Sequence, residues 1–317
     1  MKQRTITAII LILIVLPLFY FGGWWTVFFA TAFVFCGIYE LLRARKEMNW
    51  PISVHVVAFL GGAVMLFWPF IINTVNVMNQ TGQFVFDFPE RFLVQLNVVF
   101  VCFFLLALLF IEAVSKRFSV NDVFYVFTMT FLICIAGQAF IFLRQLGNVH
   151  ESENILQIND GLMIVLYVVF CTYCTDTCAL FCGKFFGRHK MAPITSPKKT
   201  WEGAIGGILC TTLLGIVFYQ IFPFGKHYTP LLIMVLSFVL AIGAVVGDLI
   251  FSSIKRNYQI KDFGNIFPGH GGMLDRVDSL VFNLMIFICL YAVITGGMFI
   301  WWNLPSLVLV DQLVSKY

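Results

Sequence analysis

Residues 252–278 read SSIKRNYQIKDFGNIFPGHGGMLDRVD. The stretch carries four basic residues (Lys255, Arg256, Lys261, Arg276), three acids (Asp262, Asp275, Asp278), His270 and four glycines (Gly264, Gly269, Gly271, Gly272). It lies between long apolar runs, and charge beside hydrocarbon is costly, so its retention calls for a function. Carboxylates hold hard cations, Lys and Arg neutralise phosphate oxygens, and glycines let backbone N–H groups approach an anion. The mixture suits a site for a nucleoside triphosphate and a metal.

Outward from this stretch the chain is apolar. Of 317 residues 60% are hydrophobic and 11% charged, with mean hydropathy +0.92. A soluble domain carries about 25% charged residues. The chain is therefore expected to be an all-α polytopic membrane protein. Runs long enough to cross a bilayer lie near 5–21, 23–42, 53–74, 93–113, 121–143, 161–182, 203–222, 229–251 and 279–302, which predicts about nine transmembrane helices. The first follows MKQR and ends at Phe19, Tyr20 and Phe21 with no small-residue cleavage site, so it is expected to be a span and not a removed signal. Sixteen of the twenty Lys and Arg fall in alternate connections, which places those connections and the N-terminus in the cytoplasm. The division expected is 1–160, N-terminal transmembrane helices for scaffold and lipid contact; 161–303, a C-terminal catalytic transmembrane domain with cytoplasmic loops 183–202 and 252–278; and 304–317, a short tail. The polar site would sit at the cytoplasmic side of the C-terminal half.

Several polar residues have plain roles. Cys171, Cys174, Cys178 and Cys182 fall at helical spacing in one apolar run. Cys171 and Cys178 would lie about 10 Å apart along the axis, so one helix cannot wrap the four thiols around one ion. Gln138 suits a helix–helix hydrogen bond. No G-x-x-x-x-G-K-[ST] occurs, so a P-loop is not supported.

Others converge on chemistry. Asp248, Ser252 and Lys255 fall at i, i+4 and i+7, one helical face near the membrane surface. A helix-end ion pair of Asp248 with Lys255 or Arg256 is the plain alternative. Gly243 and Gly247 form a small-xxx-small step for close helix packing. Asp275 and Asp278 share a face at i, i+3. Favourable placement at a helix start explains one acid; two acids flanking Arg276 suit a divalent cation, since Mg²⁺ takes one or two carboxylates plus substrate phosphates. The loop 183–202 contains Ser196, Lys198, Lys199, Thr200 and Glu202 in SPKKTWE, which has helix-start character, with hydroxyls as caps and N–H groups facing an anion. A basic patch holding anionic lipid is the alternative there. Asp176 lies inside an apolar span, where an acid faces a polar interior.

Residues 252–278 resemble the C-terminal signature of the phosphatidate cytidylyltransferase (CDP-diacylglycerol synthase) family, S-x-hydrophobic-K-R-x4-K-D-x-G-x2-hydrophobic-P-x-H-G-G-hydrophobic-x-D-R-hydrophobic-D. Every specified position is filled, from Ser252, Lys255, Arg256, Lys261, Asp262 and Gly264 through Pro268, His270, Gly271 and Gly272 to Asp275, Arg276 and Asp278. SPKKTxEG at 196–203, Asp176 and Gly247-Asp248 also look like family features. The family usually has an aromatic at Leu180 and an arginine at Lys184. The resemblance covers roughly residues 170–280 and implies CMP transfer from CTP to phosphatidate, giving CDP-diacylglycerol and pyrophosphate. It implies Asp248, Asp275 and Asp278 as metal residues for Mg²⁺, with a possible second cation such as K⁺. Lys255, Arg256, Lys261 and Arg276 would complete the catalytic set. Ser196, Lys198, Lys199, Thr200, Glu202, Ser252, His270, Gly271, Gly272 and Asp176 would bind substrate. CTP, phosphatidic acid and the lipid bilayer are the expected partners, with no nucleic acid and a homodimer allowed, in a bacterial inner membrane. The competing functions are a CTP-dependent polyprenol or lipid kinase and a cation-coupled transporter.

Overall fold

A computed structural model describes residues 23–45, 49–80, 90–145, 160–222, 224, 228–264, 266 and 271–294. The first expected span, the 304–317 tail and His270 lie outside the described residues, and the last span is described as far as Ile294. The described residues form eight helices and one hairpin: α1 (Gly23–Arg43), α2 (Ile52–Gln80), α3 (Glu90–Val114), α4 (Val120–Gln145), α5 (Asp160–Phe186), β1 (Lys190–Ala192), β2 (Ser196–Thr200), α6 (Trp201–Ile221), α7 (Pro230–Asn257) and α8 (Leu274–Ile294). Among the described residues five stretches are long and apolar enough to cross a membrane: Trp25–Arg43, Val120–Arg144, Asp160–Phe186, Trp201–Ile221 and Pro230–Asn257.

The chain forms two compact units. The first contains α1–α4 and residues 263–273. Its helices pack as a bundle around fully buried Ile38, Leu41, Leu66, Leu108 and Met129. A capping box opens α4: Asp122 accepts the Ser119 N–H at 3.2 Å, and Ser119 Oγ accepts the Asp122 N–H at 3.4 Å. Arg45 Nη2 pairs with the same carboxylate at 3.2 Å. Gln138 donates its amide to the Met65 carbonyl, the helix–helix role expected of it.

The second unit contains α5–α8 and the hairpin. Hydrogen bonds between helices replace hydrophobic drive, which is weak between helices in lipid. Tyr167 and Ser237 hydroxyls lie 2.6 Å apart, Thr175 Oγ1 donates to Thr211 at 3.0 Å, and Asn283 Nδ2 donates to Thr172 at 2.7 Å. Trp201, Ile205, Leu209, Leu213 and Val217 of α6, one turn apart, form an exposed apolar row suited to lipid. Thr229 caps α7 by accepting the Leu232 N–H at 3.2 Å, with Pro230 in its first turn.

The helix-start expectation for SPKKT is corrected. Residues Ser196–Thr200 form strand β2, antiparallel to β1 with Lys190 opposite Thr200 and Ala192 opposite Ser196. A residue before proline is biased to extended backbone, and Pro197 holds Ser196 there. Only Thr200 begins a helix: it is extended (φ −125°, ψ 152°), and its Oγ1 accepts the Gly203 N–H at 3.2 Å.

The glycine step of α7 meets α8, as its spacing suggests. A side chain at Gly243 would strike Asn283 and Ile286, and one at Gly247 would press on Phe282. Gly243→Leu is therefore expected to destabilise the second unit by about 1–3 kcal/mol, the usual range for overpacking. A thermal-unfolding midpoint in detergent unchanged from wild type would contradict this packing.

Candidate active site

The polar residues of the second unit gather where α5, β2, α7 and α8 present side chains to one another. The i, i+4 spacing on α7 brings Ser252 Oγ to donate to Asp248 Oδ1 at 3.2 Å. The other oxygen, Asp248 Oδ2, is in ion-pair contact with the Lys199 ammonium from β2. One turn further along α7, Lys255 Nζ stands 3.0 Å from Asp275 Oδ1 and 3.6 Å from Asp278 Oδ2, both on α8. The plain alternative, Asp248 paired with Lys255, is thus replaced by two pairs between elements. Asp275 is the deepest of these groups, its side chain 3% exposed, whereas those of Asp248 and Lys199 are 27% and 24% exposed.

Asp176 on α5 belongs to the same field. Its carboxylate interacts with Asp248, Asp278 and Lys199, and Asp278 interacts with Asp248, Asp275 and Lys255. Four carboxylates against the ammoniums of Lys199 and Lys255 and the guanidinium of Arg276, which reaches Tyr173 in the same field, still leave formal negative charge in excess. Like charges at 4 Å repel by about 4 kcal/mol at an effective dielectric of 20, so this cluster favours a further cation. Among the described residues no three His, Cys, Asp or Glu side chains already form a cage for one. The four cysteines of α5 also make no such group; Cys174 and Cys178 sulfurs lie 3.8 Å apart within the helix.

Arg276 is exposed, and its carbonyl accepts the Tyr173 hydroxyl at 2.9 Å, a tie from α5 to the start of α8. Arg256 Nε donates to the Thr195 carbonyl at 3.4 Å, linking α7 to the hairpin turn. Ser196 is half-buried on β2, and Lys198 and Lys261 are exposed. Thr200 serves as the α6 cap. Glu202 is engaged with the chain entering the hairpin: it accepts the Arg188 N–H at 3.1 Å and the His189 N–H at 3.2 Å, and pairs with His189 Nδ1 at 2.6 Å. Gly271, with φ of 86°, and Gly272 lie in the first unit.

Sequence reasoning passed over Tyr173 and Glu40. Tyr173, in the middle of α5, gave no signal, since a tyrosine within an apolar run reads as packing and its hydroxyl partner lies far along the chain. Glu40 did: an acid at the end of an apolar run carries the same default suspicion as Asp176.

These features define a helical membrane protein with an ionic site built from three helices and a hairpin. The model of the cytidylyltransferase family matches residues 2–294, and the chain belongs to that family. It is 30% identical over 284 residues to a phosphatidate cytidylyltransferase of Staphylococcus haemolyticus, covering 90% of this chain and 96% of the relative. Similar coverage holds for proteins of the same name from Staphylococcus saprophyticus, at 29% identity, and Staphylococcus aureus, at 30%.

Removing one partner of a buried ion pair leaves charge uncompensated, at about 3–5 kcal/mol. Lys255→Met is expected to lower the thermal-unfolding midpoint markedly, and adding Asp275→Asn to recover part of that loss. A double variant no more stable than Lys255→Met alone would refute the pairing.

Proposed function

We propose that the protein transfers CMP from CTP to phosphatidate, forming CDP-diacylglycerol and releasing pyrophosphate. The observation that carries this is the interleaving of Lys199, Asp248, Lys255, Asp275 and Asp278 in a chain of the cytidylyltransferase family. The chemistry needs no nucleophilic side chain. An ionised phosphate oxygen of phosphatidate attacks the α-phosphorus of CTP, and the bond to the β-phosphate bridging oxygen breaks. Pyrophosphate departs with that electron pair. No proton must be removed from the nucleophile, so no general base is required.

The obstacle is bringing two polyanions together, which calls for positioned positive charge. Lys255, Arg256, Lys261 and Arg276 are assigned to substrate phosphates, with Lys198 and Lys199 closing on them from the hairpin. Ser196 and Ser252 are assigned hydrogen bonds to substrate oxygens. Asp248 and Asp275 would hold Mg²⁺, with Asp278 beside them or on a second, monovalent cation; the carboxylate excess supports this. When bound, the divalent ion supplies neutralisation of the triphosphate oxygens. Asp176 sits where it would steer Lys199 or a ribose hydroxyl. The lipid tails would remain in a bacterial plasma (inner) membrane while the headgroup meets CTP at the cytoplasmic face.

Purified protein given phosphatidate, Mg²⁺ and α-labelled CTP is expected to place label in a lipid and to release pyrophosphate. Asp275→Asn should reduce this at least 100-fold while the protein remains folded. Label passing instead from γ-labelled CTP to a lipid alcohol would identify a kinase and sink the proposal. Chelation with EDTA is expected to abolish transfer and excess Mg²⁺ to restore it; transfer persisting in EDTA would remove the metal from the scheme.

A further inference from the structure

Glu40 stands near the C-terminal end of α1 and is 1% exposed. A carboxylate buried to that degree costs several kcal/mol unless it is paired or hydrogen-bonded. Its Oε1 accepts the backbone N–H of Met273 at 2.8 Å, across 233 residues of sequence. Two glycines of the polar stretch press against the same group. A Cβ on Gly264 would lie 2.6 Å from Oε1, and one on Gly272 would lie 2.7 Å from Oε2 and 2.7 Å from the Gly264 nitrogen. Real Cβ atoms do not approach that closely, so neither glycine admits a side chain while Glu40 is in place. Gly271 beside them takes φ of 86°, a backbone conformation that glycine adopts freely.

We infer that Glu40 is a positioning residue for the reaction proposed above: its carboxylate is the anion that the Gly264 and Gly272 positions accommodate, and it fixes the backbone from which α8 starts. The tie reaches the site through the covalent chain. Met273 is followed by Leu274, the first residue of α8, and then by Asp275, whose carboxylate holds Lys255. Fixing the Met273 amide sets where the first turn of α8 begins. A misplacement of 1 Å at reacting groups is enough to reduce a rate about 100-fold. Gly272, expected from the sequence to face a substrate phosphate, is in this assignment a seat for the protein's own carboxylate.

The test uses the full-length protein in detergent with lipid. Glu40→Gln keeps the shape and one acceptor but removes the charge; Gly272→Ala keeps Glu40 and pushes the loop from it. Hydrogen–deuterium exchange over 271–274 reads the tie without any assay of activity. Both variants are expected to speed exchange there at least 10-fold while protection of α5–α7 is unchanged. Both should lower kcat for CMP transfer 10- to 100-fold with KM for phosphatidate within about twofold, since Lys198, Lys199, Arg256 and Lys261, assigned to substrate phosphates, lie outside α8. Because both break one contact, the double variant should be no worse than the weaker single, the mark of coupled residues. Unchanged exchange at 271–274 in both variants would overturn the tie. Faster exchange with kcat unchanged, or multiplicative losses in the double variant, would overturn the positioning role. Wild-type protein lacking CMP transfer altogether would defeat the proposed function and with it the catalytic role of Glu40, while exchange still decides whether the contact holds the loop.

Discussion

The ammonium of Lys255, set between Asp275 and Asp278, is the interaction on which the site depends. The two acids share one face of α8 and would repel each other without a cation between them. Because all three side chains are largely withdrawn from water, their mutual attraction is little screened. The lysine therefore fixes α7 against α8 at the level where the chemistry is assigned. Below it, Gly243 and Gly247 let the two helices approach against Asn283 and Phe282. The apolar contact sets the distance between axes, and the ionic contact sets register and rotation. Lys199 and Asp248 repeat the arrangement between the hairpin and α7.

Such an arrangement suits a reaction between polyanions. Each lysine is already held by a carboxylate, so its position is defined before substrate arrives and little side-chain entropy remains to be lost. On the proposed function, triphosphate oxygens become the new partners of the lysines, and a divalent cation becomes the new partner of the acids. The exchange gives the lysines new anionic partners and the excess carboxylate charge a cation. The shallower pair, Lys199 with Asp248, is placed to exchange first, and the deeper Lys255 with Asp275 to keep the helices together meanwhile.

Features set by local periodicity were legible in the sequence. The apolar run at 121–143 became Val120–Gln145, and that at 161–182 became Asp160–Phe186. The i, i+4 relation of Asp248 and Ser252 became a hydrogen bond on one helix face. What the sequence hid depends on partners far apart in the chain. Nothing local to Lys255 says whether it turns to Asp248 seven residues earlier or to Asp275 twenty residues later. The hairpin was obscured because hydroxyls and lysines before Trp201 resemble a helix start; the bias of Pro197 on Ser196 was the clue available. Glu202, which the family resemblance implies binds substrate, has its carboxylate bonded to the backbone N–H groups of residues 188 and 189, a partnership that no local pattern shows.

Glycine-rich segments beside charged residues pose this ambiguity in its sharpest form. A glycine lacking Cβ admits any anion equally well, and the pattern is the same whether that anion arrives with a substrate or belongs to the fold. The discriminating observation is a buried carboxylate of the fold set against those glycines. Here Glu40, 1% exposed near the end of α1, supplies it. An acid placed so close to hydrocarbon is costly, and the backbone amide of Met273 is one donor that offsets the cost. The cost is then spent on holding a loop whose next residues include Asp275. By this argument the glycines of this segment answer to a carboxylate of α1, and the loop they shape ends at Met273, the residue before α8.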